Sequence, residues 1–202
     1  MRWLAYVLLL IVSVGAQAEE VFLIPEFNPK PIYPSALSRA GIVGNVRVRF
    51  MVNADGSVSK IGILQSDHPD LAQATRVAIA QWRFKPWKVE GDKPAEQEVV
   101  APMVFGLDAP SDTHQWLKAL KCREVNEGLV NTSDTDWVDL PAFYYTRAYL
   151  SSGFFQKQMS SEQRLAMIAK LNRRVPTIAR HCMNSPVSRF MTFVPADIRS
   201  LF

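Results

Sequence analysis

The sequence predicts an α+β protein: a small antiparallel sheet with a packed helix, followed by a small disulfide-linked all-α region. Three observations carry this. Residues 46–52 place apolar side chains at every second position with Arg47 and Arg49 between them, the spacing turns helical between Asp70 and Trp82, and no strand pattern follows Asp108 until the tail. Strict alternation marks a half-buried strand, and recurrence at three and four residues marks a helix face.

Taken in order, Pro31-Ile32-Tyr33-Pro34 leads into a short helix. In Asn45–Val52, residues Val46, Val48, Phe50 and Val52 share one face and Arg47 and Arg49 the other. Asn53-Ala54-Asp55-Gly56 is a hairpin turn, since glycine tolerates the positive φ such a connection needs. Ser57–Ser66 returns with Val58, Ile61 and Ile63 out of strict alternation, which predicts a bulge near Gly62. Leu71, Thr75, Ala78, Ile79 and Trp82 then recur at helical intervals, with Asp67 or Asp70 as the cap. Arg83–Lys88 is extended, either as a strand or as an arm, because Pro86 cannot sit inside a helix. Gly91-Asp92-Lys93-Pro94 turns the chain into a last strand, Glu98–Phe105.

This ordered set is similar to the C-terminal domain of TonB-family proteins. It comprises Tyr33-Pro34 before a short helix, the Val46–Phe50 strand, the Asp55-Gly56 turn, Trp82-Arg83-Phe84-Lys85-Pro86, and a last strand ending Val104-Phe105. The resemblance covers residues 31–107. It implies that the domain works by strand addition, in which an extended peptide pairs with the exposed sheet edge. The implied partner is an outer-membrane TonB-dependent receptor or another envelope protein, in connection with transmembrane transport. The matching positions are Gln97, Val99, Val100, Val104 and Phe105 on the edge strand and Lys30, Ile32 and Tyr33 on the lead-in. Lys30 and Ile32 stand where the best-known transducers carry glutamines. The edge has two other possible fates: pairing with a second copy to give a homodimer, or cover by residues 108–202. Tyr33, Trp82, Phe84 and Phe105 are expected as core aromatics.

Arg2, the apolar run Trp3–Val14 and Ala16-Gln17-Ala18 form a signal peptide, residues 1–18, with cleavage after Ala18. The run falls short of the ~20 residues that span a bilayer. The protein is therefore expected in the periplasm, the alternative being an inner-membrane anchor. The transducers' membrane helix carries a Ser and a His; this run has Ser13 but no His and no ionisable group after Arg2. Glu19–Lys30 is a Pro-containing lead-in that reaches about 40 Å fully stretched, too short to cross a periplasm.

Residues 108–202 read as a helical domain. A helix capped by Ser111 or Asp112 runs to about Asn126, with Leu117 and Leu120 inward and Gly128 as its stop. Asp139 and Pro141 open a second helix to Leu150. Ser160-x-x-Gln163 is a capping box opening a third, to Arg174, and Pro176 restarts a short one through Met183. Phe190–Val194 is a short strand or an anchor for the tail. Cys122 and Cys182, the only cysteines, are expected to pair in an oxidising compartment.

The net charge of +4 is too small to indicate a nucleic-acid partner. Residues 19–107 are balanced, and the excess lies in Arg2 and residues 108–202. His68, His114 and His181 share no metal-ligand spacing, and no nucleophile elbow, phosphate loop or dinucleotide fingerprint occurs. The expectation is a non-enzyme without cofactor or metal: either a TonB-type participant in transport or a periplasmic structural or adaptor protein that reuses the fold.

Overall fold

A computed structural model describes residues 21–202; the expected signal peptide and its cleavage site lie outside the described residues. The first helix, α1 (Ser35–Ala40), follows a lead-in containing the short strand β1 (Pro25–Phe27). Next comes β2 (Gly44–Asn53), which buries Val46, Val48, Phe50 and Val52 and leaves Arg47 and Arg49 in solvent, as the alternation predicts.

The chain reverses at Gly56, whose φ is +82° and whose missing side chain lets the Phe84 carbonyl pack against its Cα. It returns as β3 (Val58–Ser66), antiparallel to β2. The expected single bulge near Gly62 is two irregularities on either side of it. The register passes from Arg47↔Gln65 to Val48↔Ile63, leaving Leu64 over. It then passes from Arg49↔Gly62 to Met51↔Ser59, where Lys60 takes a φ of +51°.

Helix α2 (Pro69–Ile79) covers the inner face of the sheet with Leu71, Ala72, Thr75, Ala78 and Ile79. Neither Asp67 nor Asp70 caps it. His68 does, its Nδ1 accepting the Asp70 N–H at 3.1 Å, while the Asp67 carboxylate accepts the Asn45 N–H at 2.7 Å. Both aspartates have a local alternative to capping: Asp67 ties the hairpin's open end, and Asp70 lies in the first turn, where its charge suits the helix dipole. The extended stretch after Trp82 contains a strand, β4 (Arg83–Phe84), paired antiparallel with β1. β5 (Glu96–Phe105) then pairs with β2, so the main sheet has the order β3-β2-β5.

Four expectations for the helical region are corrected. The first helix is two, α3 (Thr113–Ala119) and α4 (Cys122–Val130). The tail breaks it: the Leu120 carbonyl accepts from the Phe190 N–H and the Cys122 N–H donates to Ser188, both at 2.9 Å. Gly128 does not end α4; a side chain there would meet Leu140 at 2.9 Å, so the glycine serves packing. Asp139 sits in a 3₁₀ turn, and α5 (Pro141–Leu150) starts on Pro141 with Leu140 before it. Finally, α7 (Ser161–Asn184) does not stop at Arg174 but runs through Pro176. Pro176 is exposed while Val175, Ile178, Ala179 and Cys182 are buried, so the apolar stripe holds the helix together past a residue that removes one of its bonds.

The capping box of α7 is present, with the Gln163 N–H donating to Ser160 Oγ at 3.1 Å. Two short helices had no counterpart in the sequence reading, α6 (Gly153–Gln158) and α8 (Ala196–Arg199). Of the alternatives for the tail, the anchor holds: Phe190 and Val194 are buried and residues Phe190–Thr192 form a 3₁₀ turn. Cys122 and Cys182 form the predicted disulfide, with sulfurs 2.01 Å apart, between α4 and α7.

Buried apolar side chains gather into one core within the helical region and two smaller ones under the sheet. The helical region meets the sheet-bearing part at the end of α1. There the Gly41 carbonyl accepts from Arg164 Nη1 at 2.8 Å, and the Arg39 carbonyl accepts from Asn172 Nδ2 at 2.7 Å. The Arg39 guanidinium reaches Asp136 and Asp139. Among the described residues no helix is long and apolar enough to cross a membrane.

Candidate partner-binding edge

Among the described residues the main sheet, β3-β2-β5, has two open edges of unequal quality. β3 carries both irregularities and a positive φ, which twist an edge away from regular pairing. β5 keeps an unbroken register with β2 from Gly44↔Phe105 to Asn53↔Glu96. A regular strand end to end is the better template for an incoming chain.

Pro102 fixes the direction of that template. Proline has no N–H, so in a strand paired on one side only its nitrogen faces the open edge. Backbone direction alternates along a strand, so the N–H groups of Val100 and Val104 face the open edge as well. Side chains alternate in step. Val99, Ala101, Met103 and Phe105 turn toward the cores, whereas Glu98, Val100, Pro102 and Val104 are exposed beside Arg47 and Arg49 on the outer face.

Lead-in residues split between two sides of their own extended chain. Lys30, Pro31 and Tyr33 share a groove of about 460 Å³ with Pro102, Met103, Val104, Phe105, Gly106 and Asp108. Ile32 and Pro34 turn the other way, over Ala74 and Val77 of α2 and Gln81 just past its end, and Ile32 is 85% exposed there. Lys30 borders both hollows. Tyr33 is anchored by its hydroxyl, which donates to the Ile42 carbonyl at 2.5 Å, and its ring meets Phe105 edge-on at 5.6 Å. Burial, with Tyr144 nearby, pushes its phenol up to about 12.

The eight positions implied by the resemblance therefore do not form one cluster. Lys30, Tyr33, Val104 and Phe105 come together in the groove. Ile32 lies on the α2 side. Gln97, Val99 and Val100 lie at the far end of β5, facing Val21, Phe22 and Leu23. Within the groove, Val104 is 78% exposed but Phe105 only 5%, so Phe105 supports the groove from the core. Phe84 is likewise buried, and Trp82 is fixed by its indole N–H to the Pro29 carbonyl at 2.9 Å. All four aromatics thus take the expected packing role. Pro102, which orients the edge, was missed, although a proline inside a strand pattern is a readable signal. Among the described residues no group of three or more His, Cys, Asp or Glu is placed to hold a metal ion.

Residues 29–107 match the model of the family described as Gram-negative bacterial TonB protein C-terminal. The chain is 32% identical over 79 residues to Protein TonB of Pseudomonas aeruginosa, covering 39% of this chain and 23% of that protein. It is 37% identical over 82 residues to Protein TonB of Xanthomonas campestris pv. campestris, covering 40% and 36%. The chain thus spans about a quarter to a third of the length of these relatives. Among solved structures it is similar to the solution structure of the Pseudomonas aeruginosa TonB C-terminal domain. That match has 28% identity and a TM-score of 0.38 and covers 44% of this chain and 89% of that one. The corresponding Helicobacter pylori domain matches at 28% identity and a TM-score of 0.29, covering 40% and 72%.

Proposed function

We infer, taking residues 29–107 as a domain of the TonB C-terminal type, that the protein is a non-enzymatic periplasmic component that binds envelope partners by strand addition on β5. The observation that carries this reading is the open, unbroken β5 edge flanked by the Lys30–Tyr33 wall. An extended peptide laid along Val100–Gly106 accepts the free Val100 and Val104 N–H groups and sets alternate side chains into the groove. Main-chain bonding supplies affinity, at about 1 kcal/mol net per bond, and the groove supplies selectivity. The partner class is the plug-side segment of an outer-membrane TonB-dependent receptor or a comparable extended envelope peptide.

The same edge serves a second reading, a periplasmic adaptor outside energy transduction. It is favoured by residues 108–202, which lie beyond the matched segment and carry a core of their own. Titration of the isotope-labelled protein with a plug-side receptor peptide tests strand addition. Saturable amide shifts concentrated on Val100–Gly106 and Lys30–Tyr33 support it; shifts confined to β3 or to the helical region contradict it.

A further inference from the structure

A second hollow lies in the helical region, remote in sequence from the edge just described. It occupies about 260 Å³ between α3, α4 and the start of α5. Its walls are apolar and largely fixed: Leu120 and Val125 are buried in the helical core, and Trp116 and Leu140 pack against that core. Gly128 lets Leu140 pack closely beside it in the lining, because a side chain at 128 would collide with Leu140. The charged members of its lining are Glu124 and Glu127, one helical turn apart on α4 and both exposed. Neither carboxylate has a salt-bridge partner among the described residues; Glu124 accepts only the Lys121 backbone N–H, at 3.3 Å. No lysine or arginine lines the hollow.

Trp116 adds a further feature. The indole N–H groups of Trp82, Trp87 and Trp137 each donate to a backbone carbonyl. That of Trp116 has no partner among the described residues, and its ring is held edge-on to Tyr145 at 5.5 Å. The hollow thus offers an aliphatic slot, an aromatic wall, and two carboxylates without an ion pair at its rim. One kind of side chain matches all of these: a long apolar stem ending in a planar cation. Such a stem buries its methylenes along apolar surface while its head stays at the rim. A guanidinium also bonds carboxylates with a rigid fork and lies favourably on an indole face.

We propose that this hollow docks an arginine side chain of a partner protein, with its guanidinium on Glu124 and Glu127 and its stem along Trp116, Leu120 and Leu140. Charge complementarity selects the occupant, and the binding is distinct from strand addition on β5.

The test uses the full chain, 15N-labelled, titrated with butylguanidinium, with its uncharged counterpart butylurea, and with the peptide acetyl-Ala-Arg-Ala-amide. The expected result is saturable shifts of the Trp116 indole N–H and the Gly128 amide with butylguanidinium and with the peptide. Butylurea should bind at least tenfold more weakly. In Glu124→Gln/Glu127→Gln, which keeps the side-chain acceptor of the α4 cap, affinity for butylguanidinium should fall at least tenfold while the remaining amide spectrum is unchanged. Equal binding of butylguanidinium and butylurea, or undiminished binding to the double variant, overturns the proposal. So does the absence of saturable shifts. Binding of butylguanidinium without the peptide overturns the partner-protein assignment.

Discussion

Arg164 of α7 donates from Nη1 to the carbonyl of Gly41 at 2.8 Å, across 123 positions of sequence. Gly41 ends α1 with a φ of +70°, and Ile168 of the same α7 fills the space where its side chain would be. The last turn of a helix in the sheet-bearing part is therefore capped by a buried cation from the helical region. Desolvation lowers the Arg164 pKa, the sign that its charge is held at a cost and needs its bonds. Arg164→Met, which keeps most of the volume, should lose about 2 kcal/mol, the scale of a hydrogen bond to a charged group. Calorimetry should then resolve two unfolding transitions. A single transition at the original temperature would show that this contact does not join the two parts.

The same junction predicts a steric interaction. Gly41→Ala places a methyl on Ile168 and forces a positive φ on a non-glycine residue. It should destabilise by about 1–3 kcal/mol. Combining it with Ile168→Ala should cost less than the sum of the single changes, because the second removes the collision. Additive losses in urea denaturation would contradict this packing.

Pro176 offers the opposite sign. It is exposed, so Pro176→Ala removes no buried contact, yet it restores a donor inside α7. The chain should gain roughly 1–3 kcal/mol, within the ~3 kcal/mol penalty of proline in a helix interior. Thermal melts showing no gain would mean that α7 is bent in a way that already accommodates the ring.

Tyr33 gives the alkaline signature. Its phenol titrates at about 12 in the folded chain against 10.0 when free, with burial as the main cause. The folded state therefore holds this proton more tightly than the unfolded state. The resulting stabilisation is complete below pH 10 and is lost as pH rises from about 10 to 12. Tyr33→Phe should be less stable than the parent at neutral pH by about 1 kcal/mol, from the lost bond to Ile42. The gap should close across that alkaline window. A gap that does not change with pH would place the Tyr33 hydroxyl in water.

Much of this fold was legible in the sequence where one physical signal acts alone. Alternation through Val46–Val52 sufficed for β2, and Ser160 with Gln163 for the start of α7, because both are local. The errors fall where a distant segment decides. The Leu120–Lys121 break is made by Ser188 and Phe190, which take the backbone groups an unbroken helix would have used. Gly128 has the signature of a stop but serves packing under Leu140, and Pro176 that of a restart although its buried neighbours carry the helix past it. The His68 cap is masked in the sequence by two neighbouring aspartates, because carboxylates are commoner caps. At the edge, Lys30, Pro31 and Tyr33 lie beside β5, but alternation sends Ile32 to the opposite side from Pro31 and Tyr33, with Lys30 bordering both hollows.

Strand addition on β5 is the central claim, and two proline substitutions at adjacent positions test it most directly. The Val104 N–H faces the open edge, so Val104→Pro should leave the β2–β5 ladder and the melting temperature nearly unchanged. It should weaken binding of a plug-side receptor peptide by roughly five- to tenfold, the worth of one main-chain hydrogen bond. Met103→Pro removes a bond to β2 instead and should lower stability by about 1–3 kcal/mol. Peptide titration of the two variants by calorimetry, alongside their melts, reads both effects. A Val104→Pro protein that folds normally and binds the peptide as tightly as its parent would contradict the account.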